Sequence, residues 1–348
     1  MKNNIKITVA LSLIILIAVS GVSLANSGQS VGLGHDFSTI NGTAALLANP
    51  SLVNPADDVF TLEFNAQTSF WNNGISSKYA NKYLDEDDKN TILDKINNDG
   101  LLIMLDGNQD MRLSIGPVAL FGAAKESAQG TISKDIIELV LKGNEIGETY
   151  KLTGTDLSSA IYADTGVNFS YPLKGIANKM NINNLKIGGT FHYLYGGIFK
   201  FEGNGEATLD YDTSSSEGYI DMQYGEESTG TAFDFGASFE INDKLTVGTS
   251  VMDIGSLKAT NPKHSKLQFV ISSDSEEYVK TEEIAEDEEM EEDLVYKLPR
   301  KYNIGAKYGM FKKLDLYADY SNVSYDIGKS DHKFATAFEL RPVGILPL

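Results

Sequence analysis

Side chains alternate between apolar and polar with a period of two in segment after segment of this chain. That rhythm commits it to β-structure, because a strand turns successive side chains to opposite faces. The clearest case is Thr231 to Ile241, where Phe233, Phe235, Ala237, Phe239 and Ile241 share one face and Asp234, Gly236, Ser238 and Glu240 the other. Asn242-Asp243 then reads as a tight turn, and Leu245, Val247, Thr249 and Val251 return opposite Thr246, Gly248 and Ser250, which makes a hairpin. The same pattern runs through Phe60 to Phe70, Leu185 to Phe201, Tyr302 to Tyr308, Leu314 to Tyr320 and Phe334 to Arg341, with Leu194 and Ile198 blurring the polar face of the second.

The start of the chain has the layout of a secretory signal peptide. Lys2 and Lys6 precede an uncharged apolar run from Ile7 to Val19, and Ser23-Leu24-Ala25 places small residues for cleavage after Ala25. Residues 1–25 are therefore expected to be removed on export through the Sec pathway; an uncleaved anchor is the rival reading. No second apolar stretch of some 18 residues follows, so a membrane-inserted mature chain must cross with strands. Cysteine is absent, which removes disulfides and thiol chemistry, and the formal net charge of −19 argues against a nucleic-acid partner.

Two architectures suit such strands. A soluble exported sandwich buries the apolar faces between two sheets. A transmembrane barrel turns them to lipid and keeps a polar lumen. Aromatic-rich apolar faces, glycine recurring on the polar faces and long strands favour the barrel, which also satisfies backbone hydrogen bonds at every edge. The expected fold is all-β: an antiparallel transmembrane barrel of about 12–14 strands. Residues 26–58 are expected to form a short helical plug and 59–348 the barrel, in the outer membrane of a diderm bacterium.

Three helical pieces stand between the strands. Gly42 to Leu47 stops at Asn49-Pro50. Asp85 to Ile96 opens on four acids and puts Ile92, Leu93 and Ile96 on one face. Ser133 is the expected N-cap for Ile136 to Leu141, with Gly143 at the far end. Residues 273–293 hold 12 acids against the single base Lys280 and read as a solvated loop. A second polar loop is expected over Asp210 to Glu217. Long loops at one end and short turns at the other are the asymmetry of outer-membrane barrels.

Catalytic and metal-binding signatures are missing from the sequence. His35, His192, His264 and His332 stand at no metal spacing, and His192 on a polar strand face is expected to make a lumenal hydrogen bond. Asp106-Gly107-Asn108-Gln109-Asp110 copies the opening of a calcium loop, but Met111 stands where glycine is needed and Pro117 where a glutamate should close it, so a turn is expected. No enzyme, cofactor or metal site is assigned.

Gly42-Thr43-Ala44-Ala45-Leu46-Leu47-Ala48-Asn49-Pro50 followed by Asn54-Pro55-Ala56 resembles the N-terminal segment of the FadL-like superfamily of outer-membrane proteins, which includes hydrophobic-compound transporters and the PorV-like barrels of secretion systems. Phe233 to Phe239 with Leu245-Thr246-Val247-Gly248 and Asp253-Ile254-Gly255, and then Leu298 to Tyr308, are similar to later motifs of that group. The resemblance implies a barrel that passes apolar small molecules by a route beside the plug and out through the wall. Its partners would be outer-membrane lipid, the barrel-assembly machinery and hydrophobic small molecules. The alternatives are an envelope binding or assembly barrel of the PorV-like kind and the soluble sandwich. Members end in closing strands, whereas this sequence stops at Arg341 to Leu348, which reads as a truncated sequence or an incomplete barrel.

Overall fold

The computed structural model describes residues 37–53, 61–79, 81–143, 145, 147–180, 182–208, 216–242, 244–271, 279–311, 313–326 and 329–340. Ala25, the signal peptide and Asn54-Pro55-Ala56 lie outside them, as does most of the polar loop over 210–217.

Ten strands form one antiparallel wall. They are β1 (Thr61–Asn72), β2 (Leu101–Ile115), β3 (Val118–Ile132), β5 (Thr155–Pro172), β6 (Asn183–Thr208), β7 (Ser216–Ile241), β8 (Leu245–Ala259), β12 (Arg300–Phe311), β13 (Leu314–Ser324) and β14 (Ser330–Leu340). Each pairs with its predecessor in that order, and the sheet curls as an incomplete barrel: among the described residues β14 and β1 are not paired to each other. Four further strands, β4 (Thr149–Lys151), β9 (Lys263–Ile271), β10 (Val279–Glu289) and β11 (Leu294–Lys297), attach to β6, β7, β9 and β8 without lengthening the wall. The expected strand number thus holds for strands in total, while the wall itself has ten.

The two ends of the wall differ. At one end short connections join β2 to β3, β7 to β8 and β12 to β13, and a seven-residue helix, α3 (Lys174–Met180), lies between β5 and β6. At the other end lie the long connections, carrying α1 (Glu86–Lys95) and α2 (Lys134–Lys142). Asp85 caps α1, its carboxylate accepting from the Asp88 N–H at 2.9 Å, and Ile92, Leu93 and Ile96 are buried as their spacing requires. Ser133 stands at the N-cap of α2 as expected, but its hydroxyl donates to the Lys151 carbonyl at 2.6 Å and makes no capping bond, while Gly143 ends the helix at φ 83°.

Two expectations fail here. Asp106 to Asp110 is not a turn but the middle of β2, paired with Ser127 to Ala123 of β3, because Asp106, Asn108 and Asp110 fall on one face of the strand and find lumenal partners. The acidic stretch 273–293 is not a loop throughout. Its described part includes β10, which pairs with β9 so that Glu289 faces Lys263, Glu288 faces His264 and Ala285 faces Lys266. Bases opposite acids relieve the repulsion that an isolated acidic run would suffer. Together with the upper halves of β6 and β7, these strands make a blade. Each of β6 and β7 is 26 residues long, about 85 Å at about 3.3 Å per residue, far more than a membrane needs.

The decisive feature is which face is covered. Phe64, Phe334 and Phe338 point outward with 72%, 74% and 70% of their surface exposed, and Ile161, Phe169, Tyr171, Phe235 and Ile304 share that outer face. Inside, Arg112, Asp164, His192, Asp234 and Asp319 are buried. This inverts the rule for water-soluble domains, where charged groups are the ones left in solvent.

Candidate functional site

The lumen is filled in three layers. Nearest the short-turn end sits the N-terminal segment, residues 37–53, with 3₁₀ turns at Thr43–Leu47 and Pro50–Leu52. It is held by hydrogen bonds to six wall strands. Ser38 donates to Asp319 Oδ2 of β13 from both N–H and Oγ, at 2.9 and 2.6 Å. Arg112 of β2, paired with Asp110, reaches the Thr43 carbonyl at 3.3 Å. Ser250 of β8 and Asn303 of β12 both donate to the Ala48 carbonyl. Asn168 of β5 donates to the Pro50 carbonyl at 3.2 Å, and Ser170 to that of Ser51 at 2.6 Å.

Asn49 is the hub. Its Nδ2 donates to the Ser38 and Ala237 carbonyls at 3.0 and 3.1 Å, and its Oδ1 accepts from Ser51 N–H and Oγ at 3.1 and 2.8 Å. All four of its hydrogen-bonding positions are used in a fully buried side chain, which makes it a costly residue to remove.

Glycine explains how the segment gets so close to the wall. Gly188, Gly236, Gly248 and Gly305 lie on β6, β7, β8 and β12, with Gly188 opposite Gly236 and Gly305 opposite Gly248. A Cβ on Gly188 would stand 2.3 Å from the Pro50 carbonyl oxygen, and one on Gly248 2.2 Å from that of Ser38. On Gly236 it would meet Asn49 Oδ1 at 2.2 Å. The glycines seen on polar strand faces are thus the seat of the plug. Asn49 and Pro50, the first Asn-Pro pair of the motif, do the anchoring.

Above the plug lies a layer of charge. Lys125 of β3 meets Asp164 of β5 at 2.7 Å. Asp164 accepts from His192 Nδ1 at 3.0 Å, and His192 Nε2 lies 2.8 Å from Asp234 of β7. With a carboxylate on each ring nitrogen, the arrangement is satisfied in full by an imidazolium. Asp234 also accepts the Asp253 N–H at 2.7 Å. Asp253 is the extra residue of a bulge between β7 and β8, at φ 58°, and its carboxylate lies 3.9 Å from both Lys125 and Lys301. Three cations and three carboxylates thus cross the lumen from β3 to β12. His192 was legible as a lumenal hydrogen-bonding group. Asp234 was legible as a polar-face residue of its strand, Asp253 only as part of a family motif, and Lys125 and Asp164 were not singled out.

The third layer is apolar. Ala160, Tyr162, Leu194, Ile198, Ala232, Leu257, Leu294, Tyr296 and Leu298 pack together, and the Tyr296 hydroxyl donates to Ser127 at 2.7 Å. Leu194 and Ile198, which blurred the polar face of their strand, belong here; four residues apart on a strand that pairs with β5 without a shift, both face inward. Two of the layer's residues, Leu294 and Tyr296, come from β11, which continues the register of β12 along β8 across an interruption at Leu298-Pro299. The Leu298 N–H still donates to the Gly255 carbonyl of β8 at 3.2 Å. At the rim, α1 and α2 cover a further apolar group including Tyr79, Ile92, Ile96 and Leu101. Beside it, Trp71, Asn73, Leu102, Met104, Thr131 and Lys329 line a cavity of about 260 Å³. Among the described residues no group of three or more His, Asp or Glu side chains is placed to hold a metal ion.

Comparison with known proteins gives a family match and structural likenesses. Residues 197–343 match a family of unknown function, DUF5723, which is less than half of the chain. No curated protein matches. Among solved structures, a TodX deltaS2S3 mutant monoaromatic hydrocarbon channel aligns at 12% identity and TM-score 0.42, over 85% of this chain and 71% of that one. The Pseudomonas putida toluene transporter TodX aligns at 12% and 0.41, over 88% and 72%. The CymD monoaromatic hydrocarbon channel aligns at 9% and 0.21, over 91% and 98%.

Proposed function

We propose that this chain is an outer-membrane protein that passes hydrophobic small molecules without an energy source. The observation that carries the membrane part is the inverted burial: a belt of exposed Phe, Ile, Leu and Tyr surrounds a core of buried Asp, Arg, His and Asn. Exposed large apolar side chains on nine of the ten wall strands greatly exceed the patches that soluble monomers leave in water. The family resemblance and the order of the layers support the cargo class. An apolar solute entering at the long-loop end, beside Trp71, Leu102 and Met104, meets the apolar layer first, where burial of its surface contributes roughly 25 cal/mol per Å². Beneath it the charge layer offers nothing to an apolar group, and displacing its partners would leave charges unpaired at a cost of several kcal/mol, on the order of that for any broken buried pair. The way out is then sideways through the wall into lipid.

The full-length protein should fractionate with outer membranes, need detergent for extraction and migrate faster unheated than boiled. Cells carrying it should take up a labelled hydrophobic compound faster than cells lacking the gene; equal uptake removes the transport role, and solubility without detergent removes the membrane role as well.

The projecting blade supports a second reading, an envelope assembly barrel with the acidic strand β10 as contact surface. Pull-down of the detergent-solubilised protein should then recover a stoichiometric partner that is lost when 260–293 is deleted. Recovery of nothing stoichiometric from the intact protein counts against this reading.

A further inference from the structure

The outer surface carries its charges unevenly along the wall. Residues 173–186, at the short-turn end, contain three lysines and no acid, whereas 273–293, at the long-loop end, contain 12 acids and one lysine. Lys174, Lys179, Lys186, Lys244 and Lys313 all stand at the short-turn end, and none of them has a carboxylate partner among the described residues. Lysines elsewhere are commonly paired: Lys125 with Asp164 in the lumen, Lys89 with Glu86 and Lys258 with Asp293 at the far end. At the same level Glu240 accepts from the Asn184 side chain at 2.6 Å, while Asp315 meets Lys307 at 3.2 Å and Glu339 accepts from the Tyr317 hydroxyl at 2.7 Å. Asp243 adds a further acid in the sequence there.

A second observation concerns α3. It buries Ala177 and leaves Ile176 and Met180, one turn apart on one face, in the open next to Lys174 and Lys179. Tyr171 and Ile187, on the strands that enter and leave this connection, extend that apolar surface onto the outward belt. Apolar side chains flanked by lysines at the margin of a lipid-facing belt are the arrangement of a segment that lies in the headgroup boundary.

From these two features we infer that the short-turn end of the wall is a docking surface for anionic phospholipid headgroups, with Ile176 and Met180 inserted among the acyl chains and Lys174, Lys179 and Lys186 on the phosphates. This rests on the reading of the chain as a membrane-spanning barrel. The lysines supply charge that the headgroups complete, and the acidic blade at the opposite end is kept from the anionic leaflet. The protein would then carry a shell of selected lipid at one face only.

The test uses the full-length protein in nanodiscs of phosphatidylcholine, with trace spin-labelled phosphatidylglycerol or phosphatidylcholine as probe. The immobilised fraction should show a preference of about fivefold or more for phosphatidylglycerol, since each lysine at an anionic surface contributes a comparable factor. K174E/K179E/K186E should bring the preference to about one, with heat-modifiable migration retained as proof of folding. K95E/K134E/K151E, the same change of charge at the other end, should leave it unaltered. Equal association of the two probes with the wild-type protein, or an equal loss in both triple variants, overturns the inference while leaving the barrel intact. Failure to enter nanodiscs at all defeats the membrane reading instead.

Discussion

Replacing Gly188 by valine should unseat the N-terminal plug and weaken the wall in a single step. Its Cβ would lie 2.3 Å from the Pro50 carbonyl oxygen, a backbone atom that cannot swing aside as a side chain could. Overpacking of this kind costs about 1–3 kcal/mol even where neighbours can adjust. Here the adjustment open to the chain is withdrawal of residues 48–51, which gives up the hydrogen bonds of Asn49, Asn168, Ser170 and Ser250 as a set. Proteolysis of the detergent-solubilised protein should therefore cut within 37–53 in Gly188→Val and in Gly248→Val, but not in wild type. Gly122→Val is the control, because its nearest neighbour, Thr165 Cγ2, is 4.0 Å away. Equal protection of the plug in all four proteins would show that the close approach is not what holds it.

His192→Leu should be the most destabilising single change in the charge layer. It removes the cation that separates Asp164 from Asp234 and leaves two buried carboxylates facing an apolar side chain. Breaking a buried ion pair from one side costs about 3–5 kcal/mol. The urea midpoint of the protein in detergent should fall accordingly. Adding Asp234→Asn should restore part of the loss, since the amide oxygen can still accept the Asp253 N–H without burying a charge. A fall of under about 1 kcal/mol, the range of an exposed pair, would mean that water reaches the layer.

Much of the wall could be read in advance, and the reason is chemical. Where both faces of a strand keep their character, as in Thr231 to Ile241 and Leu314 to Tyr320, the period of two is unmistakable, and β7 and β13 span those residues. Strand β2 was hidden because its outward positions include Gly107 and Gln109, so that polar residues run on through Asp110 and imitate a calcium loop. Strand β10 was hidden by its acids, whose basic partners sit some twenty residues earlier in β9. The site was less legible than the wall. Glycines on polar faces were conspicuous, but that they form a seat depends on a segment more than a hundred residues away in sequence. The charge layer draws one member from each of six strands, and no local pattern joins Lys125 to Lys301.

The interruption at Leu298-Pro299 has a mechanical consequence. The short stave that contributes Leu294 and Tyr296 is fastened to β8 by four residue pairs and the Leu298 N–H, while β12 keeps eight pairs with β8 and eleven with β13. It can peel away without unzipping the cylinder beneath it. The stave is therefore expected to open separately from the wall and at a smaller free energy.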